Sequence, residues 1–133
     1  MSDDLAFAGA ARQAEMVRAG EVSPSELVRL CLQRIERLDP QLNSFRKVFA
    51  ERALLEAEQA EARLKAGEQR PLLGVPIAIK DESELAGEIC THGTDAFTEP
   101  AKADCEMVRR LREAGAIIVG LTLLPELAIC GFT

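Results

Sequence analysis

The stretch PLLGVPIAIKDESE, residues 71–84, decides how the rest of the chain is read. It is apolar through Ile79 and rich in β-branched residues, with Arg70 before it and a run of acids at its end. An apolar run this short predicts a strand over LLGVPIAIK (72–80) in place of a buried helix. The composition is that of a strand covered on both faces, as in a parallel sheet. It nevertheless delivers Lys80, followed by Asp81, Glu82 and Glu84. Ligands of open α/β sheets bind at the carboxyl ends of the strands, which makes Lys80 the candidate functional side chain. A lysine kept in apolar surroundings gives up its proton more readily, and a neutral amine can act as a base or attack a carbonyl. The alternative is a lysine that reaches into solvent and pairs with Asp81, Glu82 or Glu84.

Downstream, DESELAGEICTHGTDAFTEPAKAD (81–104) has no clear period and carries Gly, Thr, Pro and Asp. Connections this long in compact domains tend to be functional. Asp104 is the expected cap of a helix running to Ala114, with Val108 and Leu111 facing inward and Gly115 past its end. AIIVG (116–120) reads as a second buried strand, and Pro125 could open a short helix, PELAIC. Strand, loop, helix and strand make a βαβ unit whose strands lie parallel in one sheet.

Upstream the pattern is helical. Residues 4–19 read as one helix, capped by Asp3 or Asp4 and closed by Gly20. In SPSE, Ser23 caps, Pro24 suits the first helical position and Glu26 completes a capping box. Leu27, Cys31, Ile35 and Leu38 follow down one face, and Pro40 is the expected stop. NSFRKVF (43–49) reads as a short strand. Residues 50–66 read as a helix with Leu54, Ala57, Glu61 and Leu64 on one side, a solvated charged face, and Gly67 as terminator. The chain therefore divides into a helical part, about 1–69, and the start of a sheet, 70–133. A parallel sheet needs more than two strands and helices on both faces, so this one reads as unfinished.

Composition excludes several function classes. The 133 residues are 47% hydrophobic and 29% charged, the mix of an ordinary globular domain large enough for a real core. With no Trp or Tyr, that core must be built from Leu, Ile, Val and Ala. Sixteen basic against 22 acidic residues, without a Lys/Arg run or an aromatic platform, argue against nucleic acid as a partner. No apolar run approaches the ~18 residues of a membrane span, and the opening MSDD lacks the order of a signal peptide, so the cytoplasm is the expected location. Cys31, Cys90, Cys105 and Cys130 contain no CxxC spacing and read as free thiols, not metal ligands. The single histidine, His92, falls in the turn-like CTHGTD and reads as a solvated loop residue. Ser-His-Asp and Cys-His catalysis and His-rich metal sites are thereby disfavoured, and no cofactor or metal is implied.

With GVPIAIKD in place, the chain resembles the amidase signature family, serine hydrolases that include fatty acid amide hydrolase and the A subunit of glutamyl-tRNA amidotransferase. SPSELVRLCLQRIERLDPQLNSF resembles the family's N-terminal helices and the short segment after them. PLLGVPIAIKDESELAGEICTHGT resembles its lysine strand, Ala-Gly turn and Thr/Gly-rich loop, and DCEMVRRLREAGAIIVGLTLLPELA its next helix, strand and Pro-Glu turn. The likeness covers nearly all 133 residues, in order, and corresponds to the first quarter to third of a complete family domain. It implies an α/β fold: the N-terminal part of an α/β/α sandwich, about three helices followed by a βαβ unit of an incomplete mixed sheet. It also implies a Ser–cis-Ser–Lys triad acting on a small-molecule amide. Lys80 matches the lysine that takes a proton from the bridging serine, and Asp81 matches the following aspartate, to which a supporting or turn role is assigned.

The departures from the family pattern are equally specific. The family's Ser-Ser-Gly-Gly-Ser segment and its nucleophile fall past Thr133, and no role passes to Ser2, Ser23, Ser25, Ser44 or Ser83. GLTLLPE has Leu121 and Leu123 where the family more often has Lys and Asn around the Thr, and Glu82 replaces the commoner Asn. A chain carrying only the lysine is expected to be inactive alone. Its remaining parts would come from a continuation or a complementing C-terminal polypeptide, and its open sheet edge invites self-association. Two other readings stand beside this one: a stand-alone binding or interaction module, and an enzyme using Lys80 to form a Schiff base.

Overall fold

The computed structural model describes residues 3–133, apart from the side chains of Asp3 and Asp4. The predicted capping by those two aspartates, and Ser2, lie outside the described residues. The single helix expected over 4–19 is two: α1 (Asp3–Ala6) and α2 (Gly9–Ala19), separated by Phe7 and Ala8. Gly9 has φ +76°, a backbone state that a right-handed helix cannot run through. Helix α3 (Pro24–Leu42) begins as its sequence predicts. Ser23 Oγ accepts from the Glu26 amide at 3.2 Å, and the Glu26 carboxylate accepts from the Ser23 amide at 2.8 Å. Pro40 does not stop it. Its missing N–H costs one bond, to the Glu36 carbonyl, close to the helix end, and Asn43, with φ 51°, closes the helix by donating to the Asp39 carbonyl. The Asp39 carboxylate then accepts from the amides of Ser44 (2.6 Å) and Phe45 (3.1 Å), turning the chain into β1 (Phe45–Val48).

Helix α4 (Ala50–Lys65) buries Ala53, Ala57 and Ala60, whose small side chains admit it closely to the sheet. They pack with Val28, Leu73, Ile117 and Val119, while Leu54 and Leu64 are only half-buried at the margin. Glu61, expected on that same side, accepts from the Ser25 amide at the start of α3 (3.2 Å), where the exposed helix N–H groups favour an anion. Past Lys65, Glu68 is held between Arg63 and Arg70, and the hydrogen bonds from Arg63 lower its carboxyl from the ordinary 4.5 to about 2. A carboxylate depressed on folding stabilises above its unfolded value and loses that contribution as pH falls toward the folded one. The unfolding temperature of a Glu68→Gln variant should therefore lie below wild type above pH 5, and the gap should close between pH 4.5 and 2. A gap independent of pH would show that this ion pair contributes nothing.

Strands β2 (Pro76–Lys80) and β3 (Ile117–Thr122) flank α5 (Glu106–Glu113), and a 3₁₀ turn follows at Glu126–Ala128. The sheet order is β1-β3-β2, with β2 parallel to β3 as predicted and β1 antiparallel to it. The result is a mixed α/β fold with β3, buried along nearly its whole length, at the centre. Opposite α4, the other face packs Ile79, Ile118 and Leu121 against Phe49, Leu85 and Val108.

Two expectations require correction. β2 is shorter than LLGVPIAIK and is not covered on both faces: Ile79 is buried, but Ala78 and Lys80 are exposed. Apolar composition cannot distinguish a central strand from an edge strand, and β2 lies at an edge, where α5 covers only one of its faces. Asp104 does not cap α5, because the cap position falls on Cys105. Asp104 instead accepts from the Ala86 amide at 2.8 Å and pairs with Arg112 at 3.0 Å, tying the long loop to the helix.

Gly115, past the end of α5, has φ +93°, and a Cβ there would stand 2.7 Å from the Cα of Leu73. Strain and collision add, so Gly115→Ala should lose about 1–3 kcal/mol or more, read as a lower urea midpoint at constant slope. An unchanged midpoint would mean that the 70–75 turn does not dock against this glycine.

Candidate functional site

Lys80 closes β2 and pairs with Thr122 of β3 in the parallel register. Its carbonyl accepts from the amides of Glu82 (2.8 Å) and Ser83 (3.1 Å), so the chain turns sharply at once. The side chain lies on the uncovered face of the strand, 46% exposed, with Nζ 3.2 Å from the Glu82 carboxylate. The strand alone therefore does not supply the apolar enclosure expected around this amine; the described residues give it solvent and an acidic neighbour.

Asp81 has the opposite environment. It is 1% exposed, and every polar group it carries is used. Its amide donates to the Thr122 carbonyl at 3.0 Å, and its carbonyl accepts from the His92 amide at 3.0 Å. The carboxylate accepts from the Thr91 hydroxyl, from the Thr91 amide at 3.3 Å and from Arg46 Nη2 at 3.2 Å, with Arg46 Nε 2.5 Å from its other oxygen. Arg46 Nη2 also donates to the Ile89 carbonyl at 2.7 Å. A buried carboxylate is tolerable when paired and fully hydrogen-bonded, as this one is. One guanidinium from β1 thus fastens both the end of β2 and the loop that returns over it. Arg46 and Thr91 carried no local sign of this role: Arg46 is one of two adjacent cations in NSFRKVF, and nothing near it in the chain sets it apart from Lys47.

His92 is half-buried, unlike the solvated loop residue expected. It has φ 51°, packs edge-on against Phe97 with ring centroids 5.1 Å apart, and approaches Cys90 Sγ at 3.5 Å. This is not an activated thiol: burial pushes the Cys90 thiol up, and the Asp81 carboxylate adds to the effect. Among the described residues no cluster of three or more His, Cys, Asp or Glu could hold a metal ion, and no helix is long and apolar enough to cross a membrane.

A cavity of about 430 Å³ opens past the carboxyl end of β3, lined by Arg46, Thr91, Thr94, Leu123, Leu124 and Glu126 among others. This is where open α/β sheets place ligands. Lys80 is not part of its lining. Ser23 is occupied in the capping box, and Ser25 is buried beside α4.

Comparison with known proteins is consistent across sequence and structure. A family model described as Amidase matches residues 26–133. A Mycobacterium tuberculosis protein named "Putative amidase AmiB2" is 55% identical over 130 residues, covering 98% of this chain and 28% of the relative. The A subunit of the glutamyl-tRNA(Gln) amidotransferase from Halorhodospira halophila is 45% identical over 115 residues, covering 85% of this chain and 24% of that protein. The crystal structure of the peptide amidase from Stenotrophomonas maltophilia superposes with a TM-score of 0.79 at 32% identity, covering 88% of this chain and 25% of that one. The chain thus spans about a quarter of the length of the relatives it matches. The family-model match from Glu26 onward and the superposition on a solved amidase agree in one conclusion: the chain belongs to the amidase family.

Proposed function

We propose that this chain is the lysine-bearing part of an enzyme that hydrolyses the C–N bond of a small carboxylic amide through a Ser–cis-Ser–Lys triad. Lys80 is the proton acceptor. Its amine takes a proton from a bridging serine, which takes one from a nucleophilic serine as that oxygen bonds to the amide carbon. As the C–N bond breaks, the bridging serine gives its proton to the leaving nitrogen and is reprotonated by the lysine, and water then releases the acyl group from the nucleophilic serine. Both serines and the glycine-rich loop for the oxyanion lie outside these residues, in a continuation or a complementing polypeptide, and the chain alone is inactive. The open edge of β2 is the surface through which it would meet that complement or a second copy of itself. The cytoplasm is the proposed location, in keeping with four free thiols.

The observation that carries the reading is the one-sidedness of β2. Ile79 is buried toward α5, while Ala78 and Lys80 form an exposed strip on the opposite face, beside the central strand. An apolar strand ending in a lysine, bare on that face, is suited to being covered by further protein. Covering would also exclude water from the amine, which here is half-exposed and stands 3.2 Å from the Glu82 carboxylate. That pairing is equally what a stand-alone binding module would present, so the two readings require a test.

The test uses a hybrid enzyme in which this chain replaces the matching segment of the mycobacterial relative. The hybrid should hydrolyse amides from a simple acyl-amide panel, and the 133-residue chain alone should hydrolyse none. A hybrid that folds but cleaves nothing on the panel, beside a native relative that does, would defeat the proposal.

A further inference from the structure

We infer that Arg46, on β1, is a positioning residue for Lys80. The inference rests on the reading of Lys80 as proton acceptor and adds a residue that neither the sequence pattern nor the family likeness singles out. Lys80 has few constraints of its own, because its side chain is half-exposed and, among the described residues, an ion pair with Glu82 is what restrains the amine. A base must be held to within fractions of an ångström, and displacement by about 1 Å costs about 100-fold in rate. The restraint must therefore come through the backbone on either side.

On the strand side it is the register with β3. On the other side it is Asp81, whose carboxylate reaches inward to Arg46 and Thr91. Arg46 does more than neutralise this carboxylate. The same Nη2 that donates to Asp81 at 3.2 Å donates to the Ile89 carbonyl at 2.7 Å, and Nε stands 2.5 Å from the other carboxylate oxygen, so the planar guanidinium joins β1, the residue after Lys80 and the returning loop. It also lines the cavity past the end of β3, together with Thr91, the other residue that holds the Asp81 carboxylate. A lysine in its place would keep the charge and lose the fork, because an ammonium is a point donor without planar geometry.

The experiment measures kcat and KM of the hybrid enzyme, per folded molecule and below the unfolding temperature, for Arg46→Ala, Arg46→Lys and Lys80→Ala. Arg46→Ala should lower kcat by about 10–100-fold with KM within about threefold of wild type, and Arg46→Lys should fall between. A purely structural arginine would lower the unfolding temperature and leave kcat per folded molecule unchanged. If Arg46→Ala does not fold, Arg46→Lys decides: a kcat about tenfold down supports positioning, and wild-type kcat overturns it. An inactive Lys80→Ala beside Arg46 variants of normal kcat removes the positioning role alone. An active Lys80→Ala removes the proton-acceptor reading, and this inference with it.

Discussion

Lys80→Ala in the hybrid enzyme should lower kcat/KM by about 10⁴-fold or more, with no matching loss of stability. The size follows from the way triad members act as a unit: removing one costs nearly as much as removing all. Lys80→Arg should be as inactive as the alanine variant although it keeps the charge, because a guanidinium is not deprotonated in proteins. Stability should barely move. The amine is half-exposed and its ion pair with Glu82 is a surface one, worth about 0–1 kcal/mol. An unfolding temperature within about 2 °C of wild type, beside lost activity, is the expected combination. Activity within tenfold of wild type in either variant would end the case for Lys80 as the base.

One residue further on, the expectation reverses. Asp81→Ala should destabilise the chain by about 3 kcal/mol, because it strands Arg46 and Thr91 in a site built around a carboxylate. This is the low end for a broken buried pair, since Arg46 is 26% exposed and water can reach part of its fork. Asp81→Asn keeps one acceptor oxygen and the shape, and should lose less, about 1–2 kcal/mol. Urea unfolding of the three proteins checks the order wild type, Asn, Ala. Limited proteolysis should cut first between residues 85 and 104, because that loop is tied to the sheet through Thr91, His92 and Ile89. If Asp81→Ala unfolds at the wild-type midpoint, the buried pair does not hold the loop, and the restraint assigned to it is wrong.

The two adjacent residues show what could be read from one dimension. Lys80 stands out because a cation ends an apolar run, a contrast visible within nine letters. Asp81 is visible only as one acid among several, and Arg46, 35 positions away, not at all. Likewise the capping box at Ser23–Glu26 is legible because all its atoms belong to neighbouring residues. Asp104 satisfied the same local rule and failed, because the Ala86 amide and Arg112 compete for its carboxylate from elsewhere in the fold. Pro40 failed as a stop for a related reason: Asn43 and the Asp39 carboxylate finish the helix in spite of it.

By itself the sequence determined the identity and order of the main elements, the parallel pairing of the two apolar strands and the single lysine worth testing. These depend on periodicity, capping and composition, which act over a few residues. The tertiary structure alone decided that β2 is an edge strand with Lys80 on its bare face, and that a buried Arg46–Asp81 pair locks the turn behind it. Exposure and ion pairing depend on which distant segments pack against a side chain, and that information is not carried by the neighbours it has in the chain.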